Sequence, residues 1–130
     1  MRFHHTILKI SFLSAALAVV LGAIGAHALK KHITPESLAI FETGVRFHFY
    51  HSIALALTGI VYYGLHTGRC ILAARFFVLG ILLFSGSLYC FSILGEALHF
   101  VVYLTPVGGI CFIIGWLYLF LAVKKTNTPA

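Results

Sequence analysis

Four long apolar runs alternate with short polar ones along the chain. They cover 6–26, 47–65, 71–94 and 107–123, and each stops at charges or turn residues. An α-helix needs about 20 mostly apolar residues to cross a bilayer. The pattern therefore predicts four membrane-crossing helices in one domain. The first, Thr6 to Ala26, carries Lys9 near its start, and the fourth, Val107 to Val123, has no charge. Within the first, Ser11, Ala15, Ala18, Gly22 and Gly25 recur at alternating steps of four and three. Small residues then share one helix face, which lets two backbones approach closely in lipid. The basic start, apolar core and "AHA" at Ala26 to Ala28 also fit a cleavable signal. The apolar stretch is longer than the usual core of such a signal, and a discarded leader has no need of a packing face. The segment is read as retained.

The polar run between the first two spans carries its own pattern. Thr34 suits an N-cap, Pro35 suits the first helical position, and Glu36 faces the positive end of the helix dipole. Leu38, Phe41, Val45 and Phe49 share a stripe. These residues predict a short interfacial helix over about 35–45 that leads into the second span. "LTPVGG" repeats the device, with Thr105 as cap and Pro106 as the first helical residue of span four. The tail, 124–130, is polar. The expected fold is all-α: an integral membrane four-helix bundle with a short interfacial helix in the first extracytoplasmic loop.

Composition agrees. Of the 130 residues, 61% are hydrophobic and 9% charged, with a mean hydropathy of +1.03; a soluble domain has about 25% charged residues. The formal net charge of +6 does not point to nucleic acid, since Lys and Arg sit at the ends of apolar runs and form no basic face. They set orientation instead. Arg2, Lys9, Arg69, Arg75, Lys124 and Lys125 lie on one side, and Lys30, Lys31 and Arg46 on the other. The excess predicts both termini in the cytoplasm. Cys70, Cys90 and Cys111 match no zinc or redox spacing and read as structural.

Candidate chemistry concentrates in "FETGVRFHFYHSIAL", Phe41 to Leu55. At about 100° per residue, Glu42 and Arg46 stand one turn apart and can form an interfacial ion pair. Gly44, His48, His51 and Leu55 fall roughly opposite, and Gly44 leaves space beside His48. One reading gathers His27, His51, Ser85, Ser87 and Tyr89 around a polar pocket inside the bundle, because ionisable groups within a membrane are functional candidates by default. A plainer reading leaves these residues as anchors at the membrane surface. Gly22, Gly25, Gly44, Gly86, Gly108 and Gly109 read as helix-packing positions, and Trp116 as a packing residue. No metal is expected, since His48 and His51 lack a third ligand. No cofactor is expected, and no catalytic triad, P-loop or dinucleotide fingerprint stands in the chain. The leading expectation is a non-enzymatic protein that binds membrane lipid, a partner membrane protein or further copies of itself. The rival is a transport or proton-linked role through the intramembrane His and Ser residues. An enzyme or redox carrier would need a ligand set that is not displayed.

The stretch "GAIGAHALKKHITPESLAIFETGVRFHFYHSIAL" resembles the front half of the YgdD/YwdK-type family of small bacterial inner-membrane proteins. "LFSGSLYC" and "TPVGGICFIIGW" resemble its back half. The resemblance implies a four-span inner-membrane protein whose activity is not established. Matching positions include Gly22, Gly25, His27, Gly44, His51, Ser85, Gly86, Ser87, Tyr89, Thr105, Pro106, Gly108, Gly109 and Trp116. His48 stands where the family more often has Gln, which weakens a metal role for His48 with His51. "FSILGEALHFVVYL" is less typical and leaves Glu96 and His99 without family support.

Overall fold

The computed structural model describes residues 2–123. The polar tail over 124–130, with Lys124 and Lys125, lies outside the described residues. The chain forms α1 (Arg2–His27), a 3-10 turn (Leu29–Lys31), α2 (Pro35–Leu65), α3 (Gly68–Gly80), a π-helical turn (Ile81–Ser85), α4 (Gly86–Leu94), a kinked 3-10 stretch (Gly95–Tyr103) and α5 (Leu104–Val123). Because α3, the π turn and α4 follow one another without a break, the helices of the described residues make four rods. No strand occurs among the described residues.

The start of α2 follows its sequence signals. Thr34 is extended, its Oγ1 accepts from the Ser37 N–H at 3.2 Å, and Pro35 occupies the first turn. The separate helix expected over 35–45 is absent. These residues are the first turns of α2, which runs unbroken to Leu65. Nothing between Ala39 and Arg46 breaks a helix except Gly44, and Gly44 gains a close neighbour in Tyr89. The stripe packs inward as well: Phe41 is buried against Gly25 of α1, and Val45 lies beside Gly22. The cap expected at Thr105 also differs. Helix α5 already begins at Leu104, and the Thr105 hydroxyl is engaged with Ser87.

The small-residue face of α1 is used within the chain. Ser11, Ala18 and Gly25 are buried, and α2 is the main neighbour of α1. On the other side α3 packs against α5, with Ala73, Ala74, Phe77, Phe112 and Leu119 in the core. Glycines set this spacing. A Cβ on Gly108 would run into the Phe84 backbone, one on Gly80 into the Phe112 ring, and one on Gly115 would stand 2.8 Å from Phe77. Gly59, on α2, fits the Leu8 side chain in the same way. Gly86 and Gly109 do not serve close packing, since a Cβ there meets nothing nearer than 3.8 Å.

The exterior is apolar. Phe12, Leu13, Leu82, Ile113 and Phe120 are 62–74% exposed, while Ser11, His48, Ser52, Thr58 and Ser85 are buried. Soluble monomers rarely expose such surface. Two helical stretches, Arg2–Lys31 and Gly68–Val123, are long and apolar enough to cross a membrane by length and composition; the second contains two rods. Helix α2, with its histidines and tyrosines, is not one of them.

The glycine contacts give an ordered expectation. Gly108→Ala should destabilise the fold by about 2–3 kcal/mol, the scale of an overpacked core. Gly64→Ala, where a Cβ would meet open space, should be neutral or stabilising by up to about 1 kcal/mol. Unfolding of the purified variants in mixed micelles would measure both, and equal effects would contradict the packing described.

Candidate functional site

Two histidines one turn apart on α2 face different neighbours. His48 turns towards α1 and α4. Its Nδ1 lies 3.0 Å from the Tyr89 hydroxyl, and its Nε2 lies 3.0 Å from Ser14 Oγ. Ser14 Oγ is in turn 2.7 Å from Ser52 Oγ, and Ser52 donates to the His48 carbonyl at 2.8 Å. Gly44 makes this possible, because a Cβ there would stand 2.9 Å from the Tyr89 ring.

Counting protons fixes the direction of each bond. A serine hydroxyl has one proton, and that of Ser52 goes to the His48 carbonyl. Ser52 must then accept from Ser14, and Ser14 must accept from His48 Nε2–H. His48 Nδ1 is left as the acceptor for Tyr89 O–H. All four side chains are satisfied, and every proton is used inside the cluster. The chain of bonds returns to the backbone of its own starting residue.

His51 turns towards α5. Its Nδ1–H donates to the Phe47 carbonyl at 2.7 Å, and its Nε2 accepts from Trp116 Nε1–H at 3.2 Å. The ring stacks on Phe112, with centroids 3.5 Å apart and planes 11° apart. Indole can only donate, so His51 carries its proton on Nδ1. Both of its nitrogens are occupied, and the ring is a fixed tie between α2 and α5.

A cleft of about 410 Å³ opens beside the His48 cluster. Ile10, Leu13, Ser14, Leu17 and Leu21 of α1 form one wall. Val78, Ile81, Leu82, Gly86 and Tyr89 form the other, and His48 and Leu55 of α2 form the floor. It exists because α1 leans on α2 and has little direct contact with the third rod. The rim residues Leu13, Leu17 and Leu82 are exposed on the apolar exterior, so the cleft opens sideways. The volume falls within the usual range for small-molecule sites.

The five residues expected to share a pocket are not gathered into one. His27 is exposed at the end of α1. His51 bonds Trp116, and Tyr89 bonds His48. Ser87 donates to the Phe84 carbonyl at 2.8 Å and accepts from Thr105 at 2.6 Å. Ser85 is fully buried at the end of the π turn, and its hydroxyl has no hydrogen-bond partner among the described residues. The expected Glu42–Arg46 pair is also replaced, since Arg46 donates to Thr43 Oγ1 at 2.9 Å. Thr43 lies within one turn of Arg46, and its own hydroxyl proton goes to the Ala39 carbonyl, which leaves its oxygen to accept from Arg46. Sequence reasoning missed Ser14, Ser52 and the polar role of Trp116. The i, i+4 pair His48 and Ser52 on one face of α2 was the available signal. Among the described residues no group of three His, Cys, Asp or Glu is placed to hold a metal ion.

Similarity to known proteins converges on one family. The family described as "Protein of unknown function (DUF423)" matches residues 21–109. The UPF0382 membrane protein YwdK of Bacillus subtilis (strain 168) is 38% identical over 114 residues, covering 87% of this chain and 91% of the relative. A UPF0382 membrane protein of Haemophilus influenzae is 36% identical over 108 residues, with 82% and 84% covered. The UPF0382 inner membrane protein YgdD of Escherichia coli (strain K12) is 33% identical over 104 residues, with 80% and 78% covered. No solved structure matches the chain.

The proton count makes a spectroscopic prediction. His48 should carry its proton on Nε2 and His51 on Nδ1, two opposite tautomers on one helix. Nitrogen-15 chemical shifts of histidine-labelled protein in bilayers distinguish them. Matching tautomers at the two sites would contradict the assignment.

Proposed function

The chain belongs to the DUF423 family of UPF0382 membrane proteins, and from that premise we propose that it is a four-span inner-membrane protein that holds one membrane lipid in the cleft beside His48. The cleft carries the reading. It is walled by apolar side chains, opens towards the surrounding hydrocarbon, and carries its few polar groups at one place, as a site for a lipid-soluble molecule would. The four rods and the apolar exterior support the four-span reading. The excess of Lys and Arg on one side supports a reading with both termini in the cytoplasm.

We read the protein as a binding protein rather than an enzyme or a carrier of protons. A proton route needs a chain of groups that enters on one side and leaves on the other. The cluster instead closes on the His48 carbonyl, and both nitrogens of His51 are held by fixed partners. Self-association remains part of the proposal, but it has to use another surface, because the small-residue face of α1 already packs on α2.

Two substitutions test the cleft. Gly86 lines it, and a Cβ there meets nothing closer than 4.0 Å, so Gly86→Leu should fill the space without disturbing a helix contact. Leu82→Trp should do so from the rim. Lipid extracted from the gently purified wild-type protein should include about one retained molecule per chain, and both variants should lose it with helical content unchanged. Equal retention in all three proteins would sink the proposal. Topology has its own check: a reporter fused to the C-terminus should be active only in its cytoplasmic form.

A further inference from the structure

The cleft has a chemistry that narrows its occupant, an inference that rests on the lipid-binding reading above. Its described lining consists of Ser14, His48 and Tyr89 together with aliphatic side chains and Gly86. No Lys, Arg, Asp or Glu is among them. Ser14 lies halfway along α1, as far as that helix allows from either end. A phosphate or carboxylate at that depth would be out of water with no cation to answer it, which costs several kcal/mol per ion. The head of the occupant is therefore uncharged.

Proton assignment narrows it further. Ser52 donates to the His48 carbonyl, Ser14 to Ser52, His48 Nε2–H to Ser14, and Tyr89 to His48 Nδ1. No side-chain proton of the cluster is left for a ligand. Lone pairs are left. The Tyr89 oxygen has no acceptor role within the cluster, and Ser14 Oγ has one of its two lone pairs free. The polar side of the cleft thus accepts hydrogen bonds and does not donate them. A carbonyl, ether or ester head would bring further acceptors to a place without donors. A hydroxyl head would supply the missing proton.

We propose that the cleft selects an uncharged lipid alcohol, a long apolar chain ending in a hydroxyl that donates to Tyr89 or Ser14. The four side chains form a template of fixed polarity. Its direction is set by one bond outside the cleft, from Ser52 to the backbone of His48. Removing the Ser52 hydroxyl leaves the Ser14 proton without an acceptor and free to turn into the cleft. A template of that kind discriminates by donor against acceptor, not by size.

Three probes with one chain separate the terms: oleyl alcohol, its methyl ether and oleate. Each would be titrated into the full-length protein in detergent, and one-to-one adducts counted by native mass spectrometry. The alcohol should bind about tenfold more tightly than the ether, equivalent to about 1.4 kcal/mol and the scale of one net hydrogen bond. Oleate should bind more weakly than the alcohol by at least about tenfold. In Ser52→Ala the alcohol-to-ether ratio should fall to about threefold or less, chiefly through tighter ether binding. A structural defect would weaken both ligands alike. Equal binding of alcohol and ether to the wild-type protein, or a preference for oleate, overturns the lipid-alcohol assignment while leaving the cleft as a lipid site if Gly86→Leu abolishes binding. An unchanged ratio in Ser52→Ala overturns the assigned proton direction and the selectivity drawn from it. Failure of all three probes, or binding that Gly86→Leu leaves unchanged, overturns the cleft reading itself. The wild-type series needs no variant, so the test does not depend on how any substitution folds.

Discussion

A polar side chain on a helix in hydrocarbon has to find its partner inside the protein, since no water is there to supply one. This constraint organises the molecule around α2. That helix carries His48, His51, Ser52 and Thr58 on its buried surface. Each is answered, by α1 and α4 at His48, by α5 at His51, and by the helix's own carbonyls at Ser52 and Thr58. Helix α1 and the third rod both pack on α2, while α5 packs chiefly on the third rod and reaches α2 at His51.

Hydrogen bonds hold only where backbones come close enough, and glycine sets that distance. Gly44 admits the Tyr89 ring, and with it the hydroxyl that reaches His48. Gly108 lets α5 meet the third rod backbone to backbone at Phe84, just where the π turn alters the helix. Where no such close approach occurs, between α1 and the third rod, a gap remains, and that gap is the cleft. Binding space and packing thus come from the same rule, applied at different positions.

Much of this was legible in the sequence. The apolar runs overlap the rods, the Thr34 hydroxyl caps α2, and Gly22, Gly25, Gly44 and Gly108 each stand where a Cβ would meet a close neighbour. The fine pairing was not legible, for physical reasons. A helix wheel shows which residues share a face, but not which neighbour that face meets. It could not reveal that Tyr89 would reach past Gly44 to His48 and not to His51. Arg46 could equally have met Glu42 or Thr43, both within a turn. The interfacial helix failed because a polar sequence at a membrane surface and the polar start of a long helix carry the same signals. Nothing in the sequence marked Ser14 beyond its place in an apolar run. Its importance comes from what stands opposite.

The closed bond chain also has a consequence for the order in which the protein is made. Residues 2–65 form a hairpin in which Ser14, His48 and Ser52 already satisfy one another. Two lone pairs, on His48 Nδ1 and His51 Nε2, wait for residues that have not yet been synthesised. At about 5–20 residues per second, Tyr89 follows Leu65 about 1–5 seconds later. During that interval the nascent hairpin can rest in the membrane as a nearly finished unit. The tyrosine then works as a first latch: it joins the third rod to the hairpin at His48, and Trp116 later closes the remaining position at His51.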